Sequence, residues 1–353
     1  MSSNKEKTQN RGSSTIGKSV ICGNSALSLY EGVLLSLVTL KKATAGLLIL
    51  TVIFLVRTHW TEIVPLLEES WKILSETRII YVILAFSVYL LSVYFFAVRW
   101  QQVLSSIGYN LRAKSLFPIL FGSIFVNNLT PANRTGGETL RILWVKKQFG
   151  VSYTNAFITI LFERVVEIVP ITLLLIYVLY AFPSLKGKLL PLTNHPMPNS
   201  IFLLLLVFAI TGTVIWYLKE KFAPLLKEIQ QNWKQLNKSF TSVLLLSCSV
   251  WILDIIRLKL IALALNLPLS MYIITAVSIL YLFLGLLPVT PGGLGIVEGG
   301  LISLLLFFGL PFTSAGSFVF LERFISYGLS SLIGFLYLFY YGGFKIWEDT
   351  KLH

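Results

Sequence analysis

The stretch that decides the fold is IIYVILAFSVYLLSVYFFAVRW, residues 79–100. Its first 20 residues carry no charge, and an α-helix needs about 20 apolar residues to cross a hydrocarbon core of about 30 Å. Similar apolar runs occur at about 40–57, 152–182, 200–218, 240–262 and 317–341. Only 13% of the chain is charged, against about 25% in soluble domains, and the mean hydropathy is +0.77. The sequence therefore predicts an integral membrane protein built from α-helices.

Two further apolar segments are interrupted by proline and glycine. Residues 115–130 run into TPANRTGGE (130–138), and residues 270–289 run into PGGLGIVEGG (291–300). Both residue types disfavour a continuous helix, and non-helical backbone at membrane depth is tolerated only inside protein or along a cavity. We therefore expect an all-α, polytopic membrane bundle with two broken, re-entrant segments and about six full spans.

Basic residues concentrate in the connections between apolar runs. The chain carries 29 Lys and Arg against 16 Asp and Glu, a net charge of +13. The N-terminal tail, 99–114, 134–147 and 219–239 are basic, whereas 58–78, interpreted as an amphipathic loop, is acidic. Because basic loops stay cytoplasmic, we expect a multi-pass protein of the plasma membrane with both termini in the cytoplasm. This placement predicts contact with anionic lipid headgroups and no nucleic-acid binding.

Composition divides the chain into three parts. Residues 1–38 are interpreted as a disordered basic tail, 39–342 as the transmembrane domain and 343–353 as a cytoplasmic tail. The two cysteines and three histidines are too scattered for a disulfide framework or a metal site. No metal and no cofactor are expected.

Features recur along the chain at a nearly constant offset. The offsets are 158 residues for Arg99 and Arg257, 160 for Thr130-Pro131 and Thr290-Pro291, and 159 for Glu163-Arg164 and Glu322-Arg323. We interpret this as a duplication, with repeat A at about 79–182 and repeat B at about 240–341; coincidence among common residues is the alternative. The expected topology makes the repeats inverted, an arrangement known in transporters whose site lies between the repeats near the midplane.

The first break carries residues suited to holding a phosphate: Asn127, Asn128, Pro131, Arg134, Gly136, Gly137, Glu138 and Arg141. Glycines expose backbone N–H groups, and a helix that begins after them offers a partial positive charge. The planar fork of arginine suits phosphate oxygens. The alternative is an ordinary cytoplasmic loop whose charges only set the topology.

The second break carries Pro291, Gly292, Gly293, Gly295 and Glu298. Glu298 follows the glycines, where it is placed to pair with an arginine or to meet a cationic headgroup. A simple exposed turn is the alternative.

Charged residues also lie inside the apolar runs. Glu163 and Glu167 share a helix face, whereas Arg164 is expected to point elsewhere. An isolated charge at the bilayer centre costs about 2.5 kcal/mol or more, so each needs a partner. The candidates lie in the second half: Asp254, Arg257, Glu322 and Arg323. Such groups either serve a substrate or a proton, or form ion pairs that only hold helices together.

No hydrolase, kinase or nucleotide-binding motif occurs in the sequence. The segments NNLTP (127–131), GETLR (137–141) and FER (162–164), followed by PVTPGGLGIVE (288–298), do form a familiar set. This set resembles the membrane region of lysylphosphatidylglycerol synthases and related flippase-like proteins, over roughly 40–341. In the bifunctional members that region is held to move the aminoacylated lipid between leaflets, while a separate soluble domain makes the lipid. The resemblance implies a stand-alone member without the synthase domain, from which lysyl transfer is not expected.

These observations together predict a translocator that moves a phospholipid or another polar-headgroup lipid between leaflets without ATP, and not an enzyme. Its expected partners are membrane lipids, anionic or lipid-linked; a homo-oligomer or a lipid-biosynthesis enzyme as partner stays open. One rival is a membrane-embedded transferase acting on a lipid-linked substrate, with Glu138 as its base. The other is a non-transporting partner in a lipid or cell-envelope biosynthesis complex.

Overall fold

The structure, a computed structural model, describes residues 54, 57, 58, 60–130, 135–181, 233–285, 287 and 290–341. The predicted span at 200–218 and both predicted tails lie outside these residues, as does almost all of the span at 40–57. Pro131 and Arg134 of the first break also lie outside them. The chain forms two compact units, Met1–Glu68 and Glu69–His353. The repeats and every contact given below belong to the second unit.

All regular elements of the described residues are helical. In chain order they are α1 (Trp60–Ser75), α2 (Ile79–Ser106), α3 (Ala113–Leu129), α4 (Thr135–Phe149), α5 (Tyr153–Ala181), α6 (Phe240–Ala264), α7 (Met271–Gly285), α8 (Ile296–Phe307), α9 (Phe312–Arg323) and α10 (Ser330–Tyr340). A 3₁₀ turn, Asn237–Ser239, precedes α6, and another, Pro291–Gly293, precedes α8. A π-helical segment, Phe324–Leu329, joins α9 to α10.

Four of the described helices are long and apolar enough to cross a membrane. They cover Ile79–Ser106, Tyr153–Ala181, Trp233–Ala264 and Phe312–Tyr340. Each has between 28 and 32 residues, which exceeds the 20 or so that a span requires. The prediction of an all-α, polytopic membrane protein is confirmed.

Two local predictions differ from the structure. Segment 58–78 is not a loop, because most of it forms α1, whose first turn carries Glu62 and last turn Lys72, as the helix dipole favours. Helix α4 begins at Thr135, so Gly136 and Gly137 lie in its first turn rather than before it. Gly137 is required there because a Cβ would overlap the carbonyl oxygen of Ser123 on α3.

Short helices flank both breaks. Helices α4 and α7 have 15 residues each and α8 has 12, so α8 is only about 18 Å long. The second break turns through left-handed backbone, with φ of 59° at Gly292, 72° at Gly293 and 83° at Gly295. Only glycine adopts such angles at little cost, which is why this motif contains three glycines.

The first helices of the two repeats, α2 and α6, run antiparallel. The backbone N–H of Arg78, just before α2, donates to the carbonyl of Ala264 at the end of α6. Further along, Arg99 Nη1 donates to Ser247 Oγ at 3.1 Å. Because Arg99 and Arg257 are equivalent by the repeat offset, α2 and α6 are equivalent helices. Their opposite directions agree with the inverted repeats predicted from the sequence.

Candidate functional site

A buried ion-pair cluster lies inside repeat A. Arg99 binds Glu163 Oε1 through Nε at 3.2 Å and Glu167 Oε1 through Nη1 at 3.4 Å. The other oxygen of Glu163 accepts from Arg141 Nη2 at 2.9 Å. The guanidinium of Arg141 also stacks on the ring of Trp100, 4.2 Å from its centroid. Each oxygen of Glu163 therefore has an arginine as its partner.

Repeat B contains the equivalent pair. Arg257 Nη1 binds Glu322 Oε1 at 3.0 Å, and Nη2 binds Asp254 Oδ1 at 2.7 Å. The hydroxyl of Ser278 donates to the second oxygen of Asp254 at 2.5 Å. The pair Arg257–Glu322 corresponds to Arg99–Glu163 at the offsets of the repeat, so the duplication includes a three-dimensional contact.

A second equivalent pair ties each break to the following long helix. Arg164 donates to Glu138 Oε1 at 3.0 Å, and Arg323 donates to Glu298 Oε1 at 2.5 Å. Each glutamate lies seven residues after the proline of its Thr-Pro dipeptide. The sequence analysis expected Glu298 to meet an arginine or a cationic headgroup, but it did not use this common spacing, which would have predicted both pairs.

The partners of the charges in repeat A differ from the prediction. Glu163 was expected to pair with residues of the second half, yet both its oxygens bind arginines of its own repeat. Arg164 does not point away from its neighbours, because Nη1 reaches Glu167 Oε2 at 2.6 Å along the same helix. Residues three apart are neighbours on a helix surface, so the spacing of Arg164 and Glu167 permits this pair, which the sequence analysis overlooked.

A mainly apolar cavity of about 160 Å³, with several charged and hydroxyl groups in its wall, lies between the repeats. Its wall contains the charged groups Glu167, Asp254 and Arg257 and the hydroxyls of Ser278 and Tyr281. Helices α2 and α6 contribute three pairs of equivalent positions to it, each at an offset of 158: Ser92 and Val250, Val93 and Trp251, Phe96 and Asp254. Since these equivalent residues face one cavity from antiparallel helices, the cavity lies on the pseudo-two-fold axis of the repeats.

The two breaks meet in a direct contact. The N–H of Gly292 donates to the carbonyl of Thr130 at 3.4 Å, and Arg323 Nη2 donates to the carbonyl of Gly292 at 3.0 Å. Tyr327 Oη donates to the carbonyl of Asn128 at 3.0 Å, and Asn128 Nδ2 donates to Ser331 Oγ at 2.8 Å. The sequence analysis missed Tyr327 and Ser331, because nothing in their spacing marks them as partners of the first break.

In the structure, groups of the protein itself already bind two of the groups that were predicted to hold a phosphate at the first break. The amide N–H of Gly137 donates to Asn127 Oδ1 at 2.7 Å, and Arg141 is buried against Glu163. A phosphate in this position would have to displace Asn127 from the helix N-terminus. At the second break Glu298 Oε2 caps its own helix by accepting from the N–H of Gly295 at 2.6 Å.

Fold and site together define a class: an all-α, polytopic membrane protein with duplicated charge pairs and a cavity between its repeats that contains charged groups. The chain belongs to the family described as "Lysylphosphatidylglycerol synthase TM region", whose family model matches residues 33–334. This confirms the resemblance found in the motifs.

Relatives of the chain carry only the general description of UPF0104 membrane proteins. One, from Pyrococcus horikoshii, is 27% identical over 307 residues, covering 76% of this chain and 89% of the relative. Another, from Methanocaldococcus jannaschii, is 26% identical over 300 residues, covering 76% and 87%. No solved structure matches the chain.

Proposed function

We propose that this protein moves a polar-headgroup lipid between the leaflets of the cell membrane without hydrolysing ATP. The observation that carries the proposal is the cavity between two inverted repeats, whose wall is mainly apolar but contains Glu167, Asp254 and Arg257. In transporters of this architecture the substrate site lies between the repeats near the midplane, and rocking of one repeat against the other exposes it to alternate sides. The proposal includes a cytoplasmic location for both termini.

The buried charges fall into two groups with different surroundings. Arg99, Glu163 and Glu322 are sealed inside the protein and serve the packing of helices. In contrast, Asp254 and Glu167 line the cavity, and the side chain of Asp254 is 28% exposed. Charged groups within a membrane segment are costly and usually line a substrate or ion pathway. The cavity carboxylates therefore favour a transport role over ion pairs that only hold helices together.

The size of the cavity limits what it holds in this conformation. A cavity of about 150 Å³ accommodates a molecule of the size of benzene, so a volume of about 160 Å³ suits a small headgroup or part of a larger one. The acyl chains would stay in the surrounding lipid while the headgroup crosses between the repeats. A larger headgroup requires the repeats to separate further.

The transferase alternative gains no support from the geometry. Glu138 was its candidate base, and this side chain is tied to Arg164 at 3.0 Å. Within the described residues no group of three or more His, Cys, Asp and Glu is arranged to hold a metal. The experiment below distinguishes the translocator from the alternative of a non-transporting partner.

The experiment measures lipid exchange in liposomes that contain the purified full chain. Fluorescent lipids with anionic, zwitterionic and cationic headgroups are placed in one leaflet, and their exchange is followed by quenching from outside. Ser92→Phe fills the cavity from α2 and is expected to slow exchange at least tenfold. Ser87→Phe is the matched control, because Ser87 is an exposed residue of the same helix.

Three outcomes decide between the functions. Exchange that is lost in Ser92→Phe and kept in Ser87→Phe supports the translocator. Equal exchange by both variants, or no exchange of any headgroup by the wild type, contradicts it. Product formed from a lipid-linked donor would favour the transferase instead.

A further inference from the structure

Glu322 in repeat B has a buried carboxylate oxygen without a partner. The side chain is 0% exposed, and Oε1 accepts from Arg257 at 3.0 Å. Oε2 has no hydrogen-bond partner among the residues that the structure describes. A buried charged oxygen left in this way is strongly unfavourable, so this position calls for a positive charge or a proton.

Repeat A shows what is missing. The equivalent oxygen, Glu163 Oε2, accepts from Arg141 at 2.9 Å. Arg141 lies three residues after Glu138, and the residue three after the equivalent Glu298 is Leu301, which is fully buried. Repeat B therefore has a leucine where repeat A has the arginine that neutralises its buried glutamate.

The charge balance of the two clusters differs accordingly. Among the described residues, repeat A sets three arginines (Arg99, Arg141 and Arg164) against three glutamates (Glu138, Glu163 and Glu167). Repeat B sets two arginines (Arg257 and Arg323) against three carboxylates (Asp254, Glu298 and Glu322). The repeat B cluster lacks one positive charge.

The surroundings of Glu322 supply further oxygen atoms and access. Asp254, Ser278 and Tyr281 lie on adjoining elements and line the cavity. Tyr281 Oη lies 3.4 Å from Ser326 Oγ. The π-helical segment Phe324–Leu329 begins two residues after Glu322, whereas equivalent α5 is α-helical throughout. π-helical turns inside helices are frequent at functional sites.

We propose that repeat B binds one monovalent cation, a sodium ion or a proton, at Glu322 Oε2, beside the Arg257 that joins Glu322 to Asp254 and lines the cavity. The bound charge takes the role that Arg141 has in repeat A. On the function proposed above, a gradient of this cation supplies the driving force for lipid movement without ATP hydrolysis. The groups that face the site are Arg257 on α6, Tyr281 on α7, Arg323 on α9 and Tyr89 on α2, over whose ring the guanidinium of Arg257 lies at 5.9 Å.

The test measures cation binding by thermal unfolding of the full chain in detergent. Sodium chloride is titrated against choline chloride at constant ionic strength, and a pH series is recorded without sodium. Sodium at about 100 times its dissociation constant should raise the unfolding temperature of the wild type by roughly 3–5 °C. If the ligand is a proton, sodium has no effect and the pH series shows a stabilisation on acidification.

Glu322→Gln removes the unpaired charge and should lose the sodium or the pH response. Glu163→Gln is the matched control at the equivalent position of repeat A, and it should keep the response. Asp254→Asn, at a partly exposed side chain, serves where Glu322→Gln does not fold, and should raise the half-saturating cation concentration at least tenfold.

A wild type that responds to neither cation would overturn the proposal. A response that is the same in Glu322→Gln and Asp254→Asn as in the wild type would also overturn it. No lipid movement is measured, so this result is independent of the test of lipid exchange.

Discussion

Gly292 is the residue at which the two breaks touch, and Gly292→Ala tests whether their contact holds the repeats together. A Cβ at this position would lie 2.8 Å from the carbonyl oxygen of Asn128 and 2.5 Å from the ring of Tyr327. Gly295 offers a matched control three residues away. Its backbone, with φ of 83° and ψ of −43°, is less favourable for alanine than that of Gly292, with φ of 59° and ψ of 16°, yet a Cβ there meets nothing within 4 Å.

The magnitude follows from the difference between these two positions. Alanine in left-handed backbone costs about 1–2 kcal/mol at Gly292, and the backbone of Gly295 costs alanine about 1 kcal/mol more, which is subtracted from the difference between the variants. Only Gly292→Ala also forces the breaks apart, for which overpacking costs about 1–3 kcal/mol. The displaced hydrogen bonds, from Arg323 to Gly292 and from Tyr327 to Asn128, add about 1 kcal/mol each. We expect Gly292→Ala to lower the free energy of unfolding by roughly 2–4 kcal/mol more than Gly295→Ala.

Thermal unfolding of the purified variants in detergent measures this difference. An unfolding entropy of about 2.1 cal/mol/K per residue makes one kcal/mol correspond to about 1.3 °C in a chain of 353 residues, so Gly292→Ala should unfold roughly 3–5 °C below Gly295→Ala. Equal unfolding temperatures would refute the reasoning, because the cost would then come from backbone conformation alone. The breaks would in that case be adjacent without stabilising one another.

Three further changes test other contacts by thermal unfolding. Gly334→Ala should cost about 1–3 kcal/mol, because its Cβ would overlap a backbone carbonyl of α3. In the control Gly328→Ala the Cβ meets atoms only at 3.8 Å, so this variant should cost less. Equal costs would contradict the close crossing of α3 and α10. Arg99→Met removes one arginine partner from each of two buried carboxylates and should cost about 3–5 kcal/mol. Adding Glu163→Gln should recover at least about 1 kcal/mol. Simple additivity of the two changes would argue against the pair. Asn127→Ala removes the acceptor of an amide in the first turn of α4 and should cost about 1 kcal/mol, with faster hydrogen exchange of that amide; unchanged exchange would mean that the cap is not formed.

The sequence predicted the features that depend on local composition. Long apolar runs identified the four described spans, and proline with glycine identified both breaks. The offsets of Arg99 and Glu163 predicted the duplication, which the equivalent contacts bear out. Each of these signals lies within a single segment or in the regular recurrence of one.

The partners of the buried charges could not be predicted in the same way. Glu163 had two candidate partners of suitable charge, Arg257 and Arg323, and spacing alone does not say which helix packs beside it. The bond from Tyr327 to the carbonyl of Asn128 joins residues 199 positions apart through a backbone acceptor that every residue possesses. Such contacts depend on how the helices pack, which a single sequence does not reveal.

If the protein moves lipid as proposed, the positions at which the repeats differ determine which side of the membrane the cavity faces at rest. In a protein built from two identical inverted repeats, exchanging the conformations of the repeats would give two end states of equal energy. A preference for one state therefore requires non-equivalent residues. Phe96 in repeat A faces the cavity where repeat B has Asp254, and Arg141 stands where repeat B has Leu301. The shared arginine–glutamate pairs are the common frame of both states, so the substitutions that change the resting side of the cavity should fall at these non-equivalent positions.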